Sequence, residues 1–185
     1  MSIVVVGGAS KGAGKTTLIC GILACLPERE WTAIKITSHA HHGVPVTEER
    51  ARNAATDTGR YLLAGARRAL LVEALGDEPL PALLREVFEQ DGNVLVESNR
   101  IASYQTPDFM TTDLCLGVLG AGAQPEKPSF DAFLARADAL VARTCVLLPE
   151  VSRKPGVPLF RMEDFGRISP DFEEWMRARL NAIPE

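Results

Sequence analysis

Residues 3–18 read IVVVGGASKGAGKTTL, and this stretch decides the fold. Four apolar residues, Ile3 to Val6, run into Gly7-Gly8. A short β-branched run bounded by glycine predicts a buried strand. Lys15-Thr16-Thr17 then opens a helix, in which Leu18, Ile19, Ile22, Leu23 and Leu26 recur at helical spacing. Strand, glycine-rich loop and helix, in that order, are the setting of a phosphate-binding loop. Ala9-Ser10-Lys11-Gly12-Ala13-Gly14-Lys15-Thr16 fills its frame, with Ala9 where the written motif has glycine.

The chemistry explains the spacing. A polyphosphate needs several backbone N–H donors aimed at one concavity, so the loop must curl with little side-chain bulk. Gly12 and Gly14 permit the curl, and the helix N-terminus adds partial positive charge. Lys15 is expected to reach the β/γ-phosphates and Thr16 to offer its hydroxyl to Mg²⁺. Ser10, Lys11, Ala13 and Thr17 complete the expected phosphate-binding set. Lys11 does not mark the lysine-bearing variant loop of the MinD and ParA type, because that lysine directly follows the first motif position, here Ala9, and the residue that follows it is Ser10.

Composition bounds the rest. A chain of 185 residues, 46% hydrophobic and 24% charged, fits one soluble domain with a sizeable core. A net charge of −4 offers no basic field, so nucleic acid is not an expected partner. No apolar run approaches the roughly 20 residues of a membrane span. Met1-Ser2 leads straight into the first strand, so a cytoplasmic location without a signal peptide is expected. Cys20, Cys25, Cys115 and Cys145 show no C-x-x-C pairing, and reduced, buried thiols are expected.

Strand and helix patterns alternate. Strands are predicted at Trp31–Thr37, Ala69–Ala74, Val94–Glu97, Leu114–Leu119, Cys145–Leu148 and Val157–Phe160. Helices are predicted from Thr47, with a capping pattern, to about Ala64, then over Pro79–Glu89 and Phe130–Val141, and from Pro170 to near Ala182. Such alternation predicts an α/β fold, a mostly parallel doubly wound sheet with helices on both faces. Its chemistry belongs in the loops after the strands.

Those loops supply the remaining candidates. Glu97 ends an apolar strand, where a Walker B acid would face Mg²⁺ or the attacking water; the plain alternative is a carboxylate at a strand end. His39, His41 and His42 follow the second strand. A closed zinc site wants four ligands and no acid or thiolate lies near, so phosphate or substrate contact and a solvated loop stay open instead. Arg60 is open between stabilising phosphoryl charge and pairing with Asp57 three residues away.

Taken together the motifs resemble the molybdopterin-guanine dinucleotide biosynthesis protein B family, MobB. The likeness is carried by Ala9 to Thr17, Ile34-Lys35 followed by His41-His42, Asp57-Thr58 with Ala64-Gly65-Ala66, Val94-Leu95-Val96-Glu97, and a tail from Val157-Pro158-Leu159-Phe160 to Glu174-Trp175-Met176. It implies a P-loop NTPase fold, a homodimer, GTP as nucleotide, and an accessory role beside an enzyme that attaches a nucleotide to the molybdenum cofactor. By position, Lys15 and Thr16 would bind phosphate and Mg²⁺, Glu97 would be the acid, and His41-His42 would lie over the nucleotide. Gly43 stands where the family carries an acid, and Ser98 where it carries glycine. No N-K-x-D element selects guanine, so GTP and ATP both stay open from the residues alone. The other functional class is a small-molecule kinase with an acceptor held by the loop from Ser98 to Asp108. The candidate lid, Gly120 to Pro128, has no arginine, which favours the accessory NTPase.

Overall fold

The computed structural model describes residues 2–39, 43–74, 79–90, 92–101, 112–120, 128–145 and 156–182. Val4 and Val6 on the first strand, β1 (Ser2–Gly8), point to one face of a sheet, while Ile3 and Val5 point to the other. All four are buried, so the run reads as continuous apolar sequence rather than alternation. Burial on both faces requires helices on both, and these are present. On one side lie α1 (Lys15–Cys25), α2 (Asp57–Leu63) and α5 (Pro170–Asn181), with Leu18, Ile22, Tyr61, Phe172 and Met176 in a shared cluster. On the other lie α3 (Pro79–Gln90) and α4 (Pro128–Leu134), through Leu80, Leu84, Phe130 and Phe133.

The remaining strands are β2 (Thr32–Thr37), β3 (Val46–Glu48), β4 (Arg68–Glu73), β5 (Asn93–Glu97), β6 (Leu114–Leu119), β7 (Ala139–Arg143) and β8 (Leu159–Met162). Among the described residues, eight strands form one sheet in the order β3-β4-β2-β5-β1-β6-β7-β8. Every pairing is parallel except that of the edge strand β3 with β4. β1 sits between β5 and β6, so the chain winds outward from it in both directions. That makes its carboxyl end a switch point, where open α/β sheets leave a crevice. The doubly wound α/β sheet expected from the sequence is the fold observed.

Several expectations are corrected. Val46-Thr47-Glu48 is a strand rather than a helix start, paired antiparallel with Leu70 to Val72. The helix begins ten residues later than predicted, at Asp57. Its cap is Thr56, whose Oγ1 accepts from Gly59 N at 3.0 Å. Glu49, within the stretch predicted to start a helix, accepts from the hydroxyls of Thr56 and Thr58. The predicted helix Phe130–Val141 stops at Leu134, and Ala139–Arg143 becomes β7 between β6 and β8. A run of Ala, Leu and Val suits a strand buried on both faces as well as a helix, and periodicity does not separate the two. β7 is a strand that the sequence pattern did not predict, and only the first residue of the strand expected at Cys145–Leu148 can be compared. Cys145 lies exposed in a turn, and residues 146–148 fall outside the described residues. β8 also starts two residues later than expected, and α5 follows Ser169 without a capping bond from its hydroxyl.

Candidate functional site

β1 delivers the glycine loop to the switch point. Gly12 and Gly14 hold φ of 78° and 106°, values that L side chains rarely adopt. Gly14 is the N-cap of α1 and carries no side chain to accept from the first turn, so that end of the helix faces the cleft. The loop is fixed from both neighbouring strands. Ala9 N donates to Val118 O at 3.0 Å. Asn99, just past β5, accepts from Gly8 N at 2.7 Å and donates to Gly8 O at 3.0 Å. Lys15 lies along Gly8, where a Cβ would fall 2.8 Å from its Cγ, and its Nζ donates to Ser10 O at 3.4 Å.

Above the loop opens a cleft of about 650 Å³. Lys11, Gly12, Gly14, Lys15, Thr16 and Thr17 line it, while Ser10 and Ala13 lie behind the loop beside Gly120. Five cationic side chains (Lys11, Lys15, Lys35, Arg60, Arg100) face two carboxylates, Asp57 and Glu97, so the cleft suits an anion. His39 sits exposed at the rim. His41 and His42 lie outside the described residues, as do most of the Ser98–Asp108 loop and of the Gly120–Pro128 segment.

Glu97 is brought to the phosphate loop by the parallel register of β5 with β1, which sets Glu97 opposite Val6. It is 6% exposed, and each of its oxygens has partners. Oε2 accepts from Thr16 Oγ1 at 2.7 Å and from the hydroxyl of Tyr61; Oε1 lies 3.4 Å from Lys35 Nζ. Lys35 also pairs with Asp57. Burial pulls the Lys35 ammonium down, but the Glu97 and Asp57 carboxylates outweigh it and hold the group above its ordinary value. Tyr61 is fully buried, and burial, then the Glu97 charge, push its phenol well above the usual range. It is therefore a standing donor. Arg60 makes the expected pair with Asp57 at 3.5 Å and also donates to Thr17 Oγ1 at 3.2 Å, so it joins the cleft rather than a solvated face.

Sequence reasoning missed Tyr61 and Asn99 as parts of this site and saw Lys35 only through the family likeness. Tyr61 stands four residues after Asp57 on one helix face, which was a usable signal. Asn99 had none beyond its place after a strand-end acid.

A glycine loop running into a helix, beside a strand-end carboxylate at the switch point of a parallel sheet, defines an α/β fold of the P-loop NTPase kind. Among solved structures, MobB from Bacillus subtilis is similar to this chain. It is 17% identical, the likeness covers 96% of this chain and 97% of that one, and the TM-score is 0.47. No family model matches the chain, and no curated protein does. Among the described residues, no helix is long and apolar enough to cross a membrane.

Proposed function

We propose that this chain binds a purine nucleoside triphosphate with Mg²⁺, GTP in preference to ATP, and hydrolyses it slowly as an accessory protein of cofactor biosynthesis. One observation carries the reading: the Thr16 hydroxyl and the Glu97 carboxylate meet at 2.7 Å beside Lys15, at the mouth of the glycine loop. Both are hard oxygen donors, the kind Mg²⁺ takes together with phosphate oxygens. A bound Mg²⁺ would neutralise charge on the phosphates. Lys15 and the N-terminus of α1 would bind those phosphates, and Glu97 would orient the attacking water or hold the ion.

Slow turnover follows from the side chains present. Among the described residues lining the cleft, both carboxylates are paired with cations, Glu97 with Lys35 and Asp57 with Lys35 and Arg60. Neither faces the cleft as an unpaired base. The preference for GTP, the role beside an enzyme that attaches a nucleotide to the molybdenum cofactor, the homodimer and the cytoplasmic setting rest on the motif resemblance. So does the placing of His41 and His42 over the nucleotide, with His39 at the rim bringing the start of their loop to the cleft.

Calorimetry with GTP and with ATP, each with and without Mg²⁺, tests the reading. Mg²⁺-dependent binding, tighter for GTP, is the expected result; no binding of either would overturn it. Nucleotide consumption that rises sharply with a small-molecule acceptor would move the chain to the kinase class.

A further inference from the structure

One face of α2 is turned toward the site. Asp57, Arg60 and Tyr61 stand at i, i+3 and i+4, and they reach Lys35, Thr17 and Glu97 respectively. The first two are about a third exposed, at 33% and 35%, and their ion pairs are of the weakly held surface kind. Tyr61 differs. Its ring is buried in the cluster shared by α1, α2 and α5, so its hydroxyl is placed by core packing rather than by a solvated side chain.

What that hydroxyl touches gives it a role. The last torsion of a glutamate is broad and roughly two-fold, so hydrogen bonds must choose which way the carboxylate turns. Tyr61 donates to Oε2, the same oxygen that accepts from Thr16, while Lys35 attracts Oε1. A bond from a buried donor to a charged acceptor is among the stronger kind. We propose that Tyr61 is a positioning residue, which turns the Glu97 carboxylate so that Oε2 faces Thr16 and thereby sets how tightly the nucleotide site takes a divalent cation. This rests on the reading that Thr16 and Glu97 hold that cation.

Tyr61→Phe keeps the ring and removes only the hydroxyl. Calorimetric titration of GTP across a Mg²⁺ series, and in chelator, reads the effect without using turnover. The half-saturating Mg²⁺ concentration is expected to rise about tenfold, the size of one lost hydrogen bond to a charged group. Nucleotide affinity in chelator should hold within about twofold. In the Glu97→Gln background Tyr61→Phe should add little, because the two residues act as a unit. An unchanged Mg²⁺ midpoint, or an equal effect in both backgrounds, overturns the proposal. A wild-type protein whose nucleotide binding ignores Mg²⁺ removes the cation reading itself, before any variant is made.

Should Tyr61→Phe not fold, the Tyr104→Phe chain grown on 3-fluorotyrosine carries a single labelled residue, because the sequence has only two tyrosines. Its ¹⁹F resonance must then shift when Mg²⁺ is added to the GTP complex, and must not in Glu97→Gln. Absence of the shift sinks the idea equally well.

Discussion

The cleft has two walls that hold charge differently. The phosphate-loop wall works through backbone: Gly12 and Gly14 in positive φ, an uncapped helix end, and an entry clamped by Asn99 and Val118. Facing it, β2, β5 and α2 present side chains, Lys35, Asp57, Arg60, Tyr61 and Glu97, each already bonded to another of the set or to the loop helix. The first wall is built before a ligand arrives and pays little to receive it. The second has its charges mutually neutralised, so a polyphosphate or cation must compete for partners already taken. Affinity for phosphate should therefore reside in the loop, and cation dependence and turnover in the opposite wall.

Lys15→Ala tests the first half of that division and carries the largest expected effect. The side chain is half-buried along Gly8 and contributes little to the core, so the fold should survive while Mg²⁺-nucleotide affinity falls on the order of 10²-fold or more. Calorimetry decides it, and an unchanged affinity would remove the loop from the account. Glu97→Gln tests the second half. Turnover should fall on the order of 10²-fold while nucleotide affinity moves only a few-fold. Full activity in that variant would reduce Glu97 to a strand-end carboxylate satisfied by Tyr61.

The two walls also differed in how far they could be read from sequence. The loop's signature is local: the residues that mark it lie within residues 3–18, although Asn99 and Val118 clamp its entry, and steric rules for glycine apply wherever the chain goes. Glu97 was legible because an apolar strand ending in an acid is likewise a local pattern. The opposite wall is assembled by register. Lys35 meets Glu97 because β2 pairs with β5, and Tyr61 meets it because α2 packs on α1. No short-range signal encodes either contact. The segment from Thr47 was misread for a related reason. Thr-Glu-Glu matches a helix cap, but an edge of β4 was available, and pairing with it satisfied Val46 to Glu48 instead. At β7, a run rich in Ala, Leu and Val carried no information about which alternative tertiary burial would select.

The preformed character of the loop wall can be measured on its two glycines. A Cβ on Gly14 would fall 2.5 Å from the ring of Phe165 in addition to the strain of its φ of 106°. Gly14→Ala should cost the sum of the backbone term and the clash, about 2–5 kcal/mol, roughly 4–20 °C in melting temperature for a chain this size. Gly12, at φ 78°, has open space where a Cβ would stand. Gly12→Ala should cost only the backbone term, about 1–2 kcal/mol. Thermal denaturation of both variants is the check, and equal losses would mean that Phe165 yields freely and the wall is softer than its geometry implies.

The smallest effect is the most diagnostic for the side-chain wall. Asp57 pairs with Lys35 and, at 3.5 Å, with Arg60, and all three line the cleft. If these charges are held in mutual neutralisation, removing the carboxylate frees two cations to act on an incoming anion. Asp57→Asn should then tighten nucleotide binding rather than weaken it. One unit of charge acting across several ångströms of solvated cleft is worth on the order of 0.5 kcal/mol, about two- to threefold in affinity at low salt. Screening should erase the gain as ionic strength approaches 1 M, where the Debye length falls to about 3 Å. Stability should change by less than about 1 kcal/mol, because the pair is partly exposed. Calorimetry of GTP binding at low and high salt reads both parts. Weaker binding at every salt concentration would show that Asp57 contacts the ligand or its cation directly, and that the second wall takes part in binding.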